Sequence, residues 1–279
     1  MPTYHLPSYF HNHQEAPDFF VYDYTSEVNT ERAQVALSGN LFSFLQDGTK
    51  TVFLADDTIT ATPTHFLVLK AGHCLMTEKI SDQARYRSQL FFSTTQALRT
   101  FCHKYQIEPS LEPQMDSCLK LPYDSFLLAF VNSLRALPSL NAQDLLAVKF
   151  EELMLYLQAT HGQRLIDFLF APAQPKQEQV LEVALHAVDH PLSLEEMAFL
   201  CHMSISTFQR TFRRQFHTSP QKWLQGQRLK KAAYLLAVKG MRPSEVFPEA
   251  GYESLSSFSQ AFQRLYGQSP RQYQEQHHS

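Results

Sequence analysis

Apolar and polar positions change their spacing along the chain, and the change marks two kinds of predicted structure. Between residues 19 and 92, short runs rich in aromatic and β-branched residues alternate with turn residues, which is typical of strands. After residue 93 the apolar positions recur with a helical period, which predicts helices over 95–102, 123–131 and 141–157. Seven or eight short strands at such spacing predict a small β-barrel or jelly roll in the first half.

Three local signals refine this picture of the first half. The dipeptide Asp47-Gly48 is a typical turn signal and predicts a hairpin between the strands that flank it. Residues 1–17 are polar and contain prolines, and we expect them to be poorly ordered. The helix over 141–157 has a broad apolar face, which is wide enough to cover the barrel and also to pack against a second copy.

A run of proline, alanine and polar residues predicts a linker at 171–177, because such residues form no core. The length of 279 residues also suits two ordinary domains, each with its own core. We therefore predict a domain over 1–170, the linker, and a helical domain over 178–279 whose first helix begins at Glu178.

The helical half contains an internal repeat, in which residues 206–223 recur at 256–273 with a constant offset of 50. At about 100° per residue, the apolar positions of each copy form one stripe along a helix. Large apolar side chains prefer burial, so we assign both stripes to the core. The stripes consist of Ile205, Phe208, Phe212 and Phe216, and of Leu255, Phe258, Phe262 and Tyr266.

The face opposite each stripe is polar and suited to DNA. Arg and Gln can hydrogen-bond base edges in the major groove, and Ser often contacts phosphates. A solvated surface would explain one such face, but two copies, each after a short helix and a turn, favour helix-turn-helix units. The candidate DNA-binding residues are Ser206, Gln209, Arg210, Arg213, Arg214, Ser256, Ser259, Gln260, Gln263 and Arg264.

Capping signals delimit the helices around these faces. The segment 193–196 is a capping box, Ser204 is a candidate N-cap, and Pro243 suits a first helical position. Gly251 supplies the left-handed conformation that ends many helices. Between the units, the segment that begins at Ser219-Pro220 predicts one linker helix of about 19 residues, about 28 Å long. That length suits two recognition helices in successive major grooves, about 34 Å apart.

The helical half of the chain resembles the DNA-binding domain of the AraC/XylS family of bacterial transcription regulators. The resemblance implies that Ser206, Gln209 and Arg210 contact bases or backbone, and that Ser256, Ser259 and Gln260 are their equivalents in the second unit. It covers about the last hundred residues and rests on Ala198, Ser204, Phe208, Arg210, Phe212, Ser219-Pro220, Arg228-Leu229, Ala232, Leu235-Leu236, Gly251-Tyr252, Phe258, Phe262, Gly267 and Ser269-Pro270.

Three positions of the second unit depart from the family pattern. Phe247 stands where a small residue is frequent, and Gln260 stands where Arg is frequent. Pro248 lies inside the predicted helix, where it removes a backbone hydrogen bond and tends to kink the helix. We therefore expect the first unit to supply most base discrimination and the second unit mainly to anchor the DNA backbone.

The segment from Lys149 to Leu155 is similar to a K-x-E-E-L-L-x-L segment in the AraC-family branch that includes activators of type III secretion. The resemblance implies that the first domain self-associates and is controlled by a partner protein rather than a sugar. Binding of a small ligand stays open, since an apolar barrel interior can be filled by its own side chains.

Net charge differs in sign between the two halves. From residue 171 onward the chain has 12 Lys and Arg against 9 Asp and Glu, a net charge of +3. The first 170 residues have 12 basic and 18 acidic residues, a net charge of −6. This asymmetry fits a DNA-binding half joined to a half that repels DNA.

Other chemistry is weakly supported. The four cysteines are scattered, as in a reduced cytosolic protein, and the histidines show no clustered metal-ligand pattern. A cupin-type metal enzyme needs two histidines one residue apart, whereas His65 and His73 stand alone. An enzyme on the barrel would also need a nucleophile–base pair or a phosphate-binding glycine loop. A helical module that binds protein alone is the remaining alternative.

These patterns predict an α+β protein, with a cupin-like β-barrel or jelly roll and helices, followed by an all-α domain of two helix-turn-helix units and a linker helix. The expected function is sequence-specific regulation of transcription, as an activator, with no cofactor, metal or enzymatic activity. The expected partners are double-stranded promoter DNA, RNA polymerase, a second copy of the chain, and a regulatory protein or small-molecule effector. We expect a cytoplasmic location, because the sequence has no signal peptide and no run of eighteen apolar residues.

Overall fold

Two five-stranded sheets packed face to face form the amino-terminal part of the chain in a computed structural model, which describes residues 2–11, 17–110, 117–137, 143–171 and 176–277. The chain divides into two units, Met1–Pro175 and Lys176–Ser279. The amino-terminal unit, Met1–Pro175, combines the sheets with helices, and the described part of the carboxy-terminal unit, Lys176–Ser279, is helical. The predicted α+β class is therefore confirmed.

The strands form a mostly antiparallel sandwich. One sheet has the order β1-β3-β8-β5-β6 and the other has the order β10-β7-β4-β9-β2. The strands are β1 (Thr3–Leu6), β2 (Phe19–Ser26), β3 (Thr30–Leu37), β4 (Asn40–Asp47), β5 (Thr49–Phe53), β6 (Thr58–Ala61), β7 (His65–Leu69), β8 (Gly72–Lys79), β9 (Tyr86–Ser93) and β10 (Cys118–Pro122).

Alternation along the strands gives the second sheet two buried faces. On β4, Leu41 and Leu45 pack between the sheets, whereas Phe42 and Phe44 pack against helices on the outer side. Phe150 enters this outer core and contacts the rings of strand residues on three sides. The helices of the unit are α1 (Thr95–Tyr105), α2 (Ser125–Arg135), α3 (Gln143–His161) and α4 (Gln163–Phe170).

The predicted hairpin at Asp47-Gly48 is wrong. The strands on either side of it belong to different sheets, because β4 pairs with β7 and β9, whereas β5 pairs with β6 and β8. Gly48 has a positive φ of 85°, and a Cβ there would collide with the carbonyl oxygen of Lys79. The turn signal was therefore correct, but the turn carries the chain from one sheet to the other.

The expectation of poor order at the amino terminus is also wrong for residues 2–11, while residues 12–16 lie outside the described part. Strand β1 pairs in parallel with β3, from Thr3 opposite Gln34 to Leu6 opposite Leu37. Leu6 is buried, and the ring of Phe10 stacks on a strand tyrosine at 4.0 Å. The apolar residues of this short segment outweigh its polar composition because the sandwich offers them a surface.

A chain of buried polar side chains links the two sheets inside the sandwich. The ammonium of Lys50 lies 3.3 Å from a carboxylate oxygen of Glu78 and donates to the hydroxyl of Ser43 at 3.2 Å. That hydroxyl is 3.1 Å from the hydroxyl of Ser88. Burial and the nearby Glu78 charge raise the pKa of Tyr24, so its phenol stays protonated beside the pair.

Replacing Lys50 with Met should destabilise the amino-terminal unit by about 3–5 kcal/mol, because it leaves the Glu78 carboxylate buried without the ammonium group that it pairs with. The double variant Lys50→Met with Glu78→Leu should recover most of this loss. Urea unfolding followed by far-UV circular dichroism measures both. Fluorescence of Trp223, the single tryptophan and a residue of the second unit, is the internal control. A single variant as stable as the double variant would contradict the assignment.

The described residues of the carboxy-terminal unit form seven helices. They are α5 (Lys176–Asp189), α6 (Leu194–Leu200), α7 (Ile205–Phe216), α8 (Pro220–Ala237), α9 (Pro243–Glu249), α10 (Leu255–Tyr266) and α11 (Pro270–His277). Helix α5 begins two residues before the predicted start at Glu178, and residues 172–175 of the predicted linker lie outside the described part. Among the helices that are described, none is both long enough and apolar enough to cross a membrane.

Candidate nucleic-acid interface

Two helix-turn-helix units lie in the second half, α6 with α7 and α9 with α10. The predicted capping box starts the first of them: the amide of Glu196 donates to the Ser193 hydroxyl at 3.1 Å, and the amide of Ser193 donates to the Glu196 carboxylate at 2.7 Å. These two bonds satisfy amides that have no partner within the helix. The first helix of the unit is therefore fixed at its start by its own sequence.

The turns of the two units close in the same way. In the first, the amide of Met203 donates to the carbonyl of Ala198 at 2.9 Å, and in the second the amide of Tyr252 donates to the carbonyl of Phe247 at 3.0 Å. Both bonds span five residues, as in the Schellman motif that ends many helices. These matching pairs are 49 residues apart, not 50.

The extra residue of the second unit lies between the left-handed position and the next N-cap. His202 and Gly251 hold the left-handed conformation, with φ of 54° and 74°. Ser204 and Ser254 then cap α7 and α10, and each side chain accepts a bond from an amide three residues on. The second turn is thus one residue longer, which the constant offset of the recognition helices concealed.

Each recognition helix is held by a matched aromatic cluster. The ring of Trp223 packs edge-on against Phe212 at 5.9 Å, and the ring of Tyr273 packs edge-on against Phe262 at 5.3 Å. The aromatic core prediction is confirmed at the four fully buried positions, which are Phe208, Phe212, Phe258 and Phe262.

The core prediction is wrong at the first position of each stripe. Ile205 and Leu255 are 43% and 41% exposed, although they lie on the same helical face as the buried phenylalanines. They are the first residues of α7 and α10, so their side chains lie beyond the end of the aromatic cluster. A helical period gives the direction of a side chain but not the length of the core beneath it.

The structure brings the ten candidate residues to the outer faces of the two recognition helices. Eight are exposed, while Gln209 and Ser259 are half-buried at the edge of each face. Within the described part of the chain, none of the four arginines in this set forms an ion pair, so their guanidinium groups are available to an external acceptor: Arg210, Arg213, Arg214 and Arg264.

Charge distinguishes the two faces. Helix α7 has three arginines and no acidic residue, whereas α10 has one arginine and no acidic residue. The recognition helices and their aromatic cores match, so the difference in charge lies in the side chains that face outward. Because Coulomb attraction to phosphates scales with charge, the first face should attract DNA more strongly.

The linker helix contacts both units. Helix α8 has 18 residues, close to the predicted 19, and spans about 27 Å. Arg228 on α8 donates to the carbonyl of Ala187 at the end of α5 at 2.9 Å. The same guanidinium lies against Gly251, where an added Cβ would come within 3.2 Å of it. Gln225 adds a bond to the hydroxyl of Tyr252 at 3.1 Å.

These contacts tie the second turn to the linker helix, and no sequence pattern predicts them. In the sequence, Arg228 belongs to the family resemblance, and Gly251 marks the end of a helix. Their mutual contact has no local sequence signal, because the residues are far apart in the chain.

Pro248 does not prevent the second unit from forming. Helix α9 runs from Pro243 to Glu249 with Pro248 as its penultimate residue. Beyond the proline, the amide of Ala250 still donates to the carbonyl of Val246 at 3.0 Å. Because the proline lies so near the end of the helix, its missing amide affects one bond. Among the described residues, no group of three His, Cys, Asp or Glu side chains could hold a metal ion.

Comparison with known proteins gives two family matches. Residues 197–276 match the model of a helix-turn-helix domain, and residues 40–168 match the model of the ExsA N-terminal regulatory domain. The first match contains both helix-turn-helix units from within α6 onward. The second contains β4–β10 and most of the helices that cover them.

Curated relatives match mainly in the second half. The transcriptional regulator AlkR of Acinetobacter baylyi is 36% identical over 110 residues, which are 39% of this chain and 36% of AlkR. The RCS-specific transcriptional activator RclR of Escherichia coli is 32% identical over 101 residues, 36% of each chain. The chain thus spans about a third of the length of the relatives it matches. A solved structure of the AdpA DNA-binding domain with target DNA is 29% identical, with a TM-score of 0.35, and covers 37% of this chain and 93% of that one.

Replacing Phe212 with Ala should destabilise the carboxy-terminal unit by about 3–5 kcal/mol, because it removes a fully buried ring between Phe208 and Trp223. Urea unfolding followed by Trp223 fluorescence measures the loss directly, since the indole packs on the deleted ring. Arg213→Ala, an exposed change one residue along, is the matched control and should shift the midpoint little. An unchanged midpoint for Phe212→Ala would show that the assigned inner and outer faces are reversed.

Proposed function

We propose that this chain, a member of the AraC family of transcription regulators, binds one promoter sequence through α7 and α10 and so controls transcription. The relatives it matches are regulators and not enzymes. The observation that carries the proposal is the pair of matched helices that bury two phenylalanines each and turn ten polar side chains outward. Double-stranded DNA is the partner that such paired helices fit.

The two faces divide the work of recognition. Arg210 lies in the middle of the first polar face and is long enough to donate two bonds to a guanine edge. Arg213 and Arg214 lie a turn further along and are placed for phosphates, which fix the position of a protein on the duplex. The second face carries Gln260 and Gln263, which can hydrogen-bond bases but attract phosphates less.

Arg210→Ala should cost about 1–3 kcal/mol of specific affinity and relax discrimination at one base pair, because a bidentate guanine contact is lost. Gln260→Ala should lose less discrimination. The site is first selected from random duplex DNA with the purified chain, and affinities for single-base variants of it are then measured by fluorescence anisotropy. Arg99→Ala, an exposed change on α1 of the amino-terminal unit, is the charge-matched control.

Equal losses of discrimination for Arg210→Ala and Gln260→Ala would contradict the unequal roles. Failure to select any sequence would contradict the proposed function itself. Affinity for the selected site should fall steeply with salt, because phosphate contacts release counterions.

We also propose that the chain activates transcription by contacting RNA polymerase at the promoter and that it acts in the cytoplasm. The relative RclR is named an activator, which supports this direction of control. A protein that binds a bacterial promoter acts where the chromosome lies.

A second apolar stripe on α3 supports a homodimer. The inner face of α3 packs in the core, while Leu145, Val148 and Leu155 on the opposite face are 46%, 61% and 39% exposed. Their spacings of three and seven residues follow a heptad pattern, which Ala159 continues and which Glu152, paired with Lys149, interrupts. A helix that is apolar on two sides needs a second partner, and a second copy offers the same stripe.

Val148→Glu should weaken self-association at least about tenfold, because it adds a second carboxylate to the stripe beside Glu152. Sedimentation velocity over a range of concentrations measures the change, and circular dichroism verifies the fold. Leu128→Glu on α2, 53% exposed on a different helix, is the matched control and should leave association unchanged. Equal weakening by both variants would count against α3 as the dimer surface.

We propose that an effector controls the protein by binding in the interior of the amino-terminal unit. A cavity of about 160 Å³ lies there, lined mainly by apolar and aromatic side chains, with Lys50 and Glu78 among the lining residues. Buried charges beside an apolar cavity provide a few oriented polar groups, as ligand sites do. The ExsA-type match over residues 40–168 supports a regulatory role for the same unit, and a partner protein is the alternative effector.

A further inference from the structure

Ile205 and Leu255 are exposed apolar residues in equivalent places. Each is the first residue of a recognition helix, each follows a capping serine, and they are 50 residues apart in the repeat. The next members of both stripes, Phe208 and Phe258, are fully buried. The aromatic cluster therefore ends before these two side chains, and both units have an aliphatic residue there.

The surroundings of these side chains are polar and open. Ser206 and Ser256 follow them directly and are exposed. Leu255 borders a shallow groove of about 440 Å³ with Ser259, one of the candidate contact residues. The amino-terminal residues of a recognition helix are those that enter the major groove of DNA. Although Ile205 and Leu255 continue the inner stripe, they stand at the amino-terminal end of each recognition helix, which places them at the edge of the groove in the proposed complex.

Major-groove edges offer one apolar group to such a side chain, the C5-methyl of thymine. We propose that Ile205 and Leu255 each contact a thymine methyl group. Each half-site, meaning the part of the DNA site bound by one recognition helix, is then specified at one position by an apolar contact and not by hydrogen bonds. This inference rests on the proposed function and adds to it a specificity-determining residue in each unit.

Burying one methyl group against an aliphatic side chain should change affinity about three- to fourfold. Uracil isolates this contribution, because it keeps the hydrogen-bonding edge of thymine and lacks the methyl group. The full chain is titrated with the selected duplex and with duplexes in which each thymine is replaced singly by uracil. We expect a three- to fourfold loss at one position in each half-site.

The protein variants assign these positions to residues. Ile205→Ala should abolish the uracil effect in the half-site bound by α7 and leave the other unchanged, and Leu255→Ala should do the reverse. Both side chains are exposed, so thermal melting should stay close to that of the parent chain. Val238→Ala, an exposed aliphatic change at the end of α8, should leave both uracil effects intact.

The outcomes separate this inference from the proposed function. A specific site with no uracil-sensitive position would overturn the methyl contacts while leaving DNA recognition in place. A uracil effect that survives both alanine variants would also overturn them. If no specific site is selected from random DNA, the proposed function fails first, and the inference fails with it.

Discussion

The second half of the chain depends on burying two phenylalanines per recognition helix against the ring that follows. Trp223 closes the first cluster and Tyr273 closes the second, each edge-on to a buried phenylalanine. Once these rings are packed, the opposite side of each helix faces away from the core, and eight of the ten polar side chains on the two faces are exposed. The polar face is therefore outward by exclusion, and the exposure of its side chains follows from the aromatic core and not from their own chemistry.

This division lets the outer faces diverge while the cores stay matched. The first face carries three arginines and the second carries one, yet both sit on helices of twelve residues that begin at a serine cap. The contacts of Arg228 with Ala187 and with Gly251 connect the linker helix to α5 and to the turn of the second helix-turn-helix unit. A weakly charged second face thus gains from the attachment of the first, because linked sites raise the effective concentration of one another.

Patterns along the chain predicted the repeat, the caps and the linker helix, because these depend on residues close in sequence. They failed where the outcome depended on distant partners. Asp47-Gly48 marks a turn, but which strands pair afterwards is decided by the sandwich. Residues 2–11 became ordered because β3 and its neighbours provide a surface. Periodicity placed Ile205 on the inner face, but it could not show where the aromatic cluster ends.

The longer turn of the second unit sets the limits of the domain as a set of exchangeable parts. From Ser204 to Trp223 and from Ser254 to Tyr273, caps and ring contacts match position by position. A graft cut at those serines keeps the ring contacts within each segment, whereas Tyr252, which packs edge-on against Phe258 at 5.6 Å, lies outside it. A graft that also carried the preceding turn would change the length of that turn by one residue and so shift the recognition helix against the helix before it. The natural boundary for recombination therefore lies at the capping serine, so new specificities can arise by exchange of short segments.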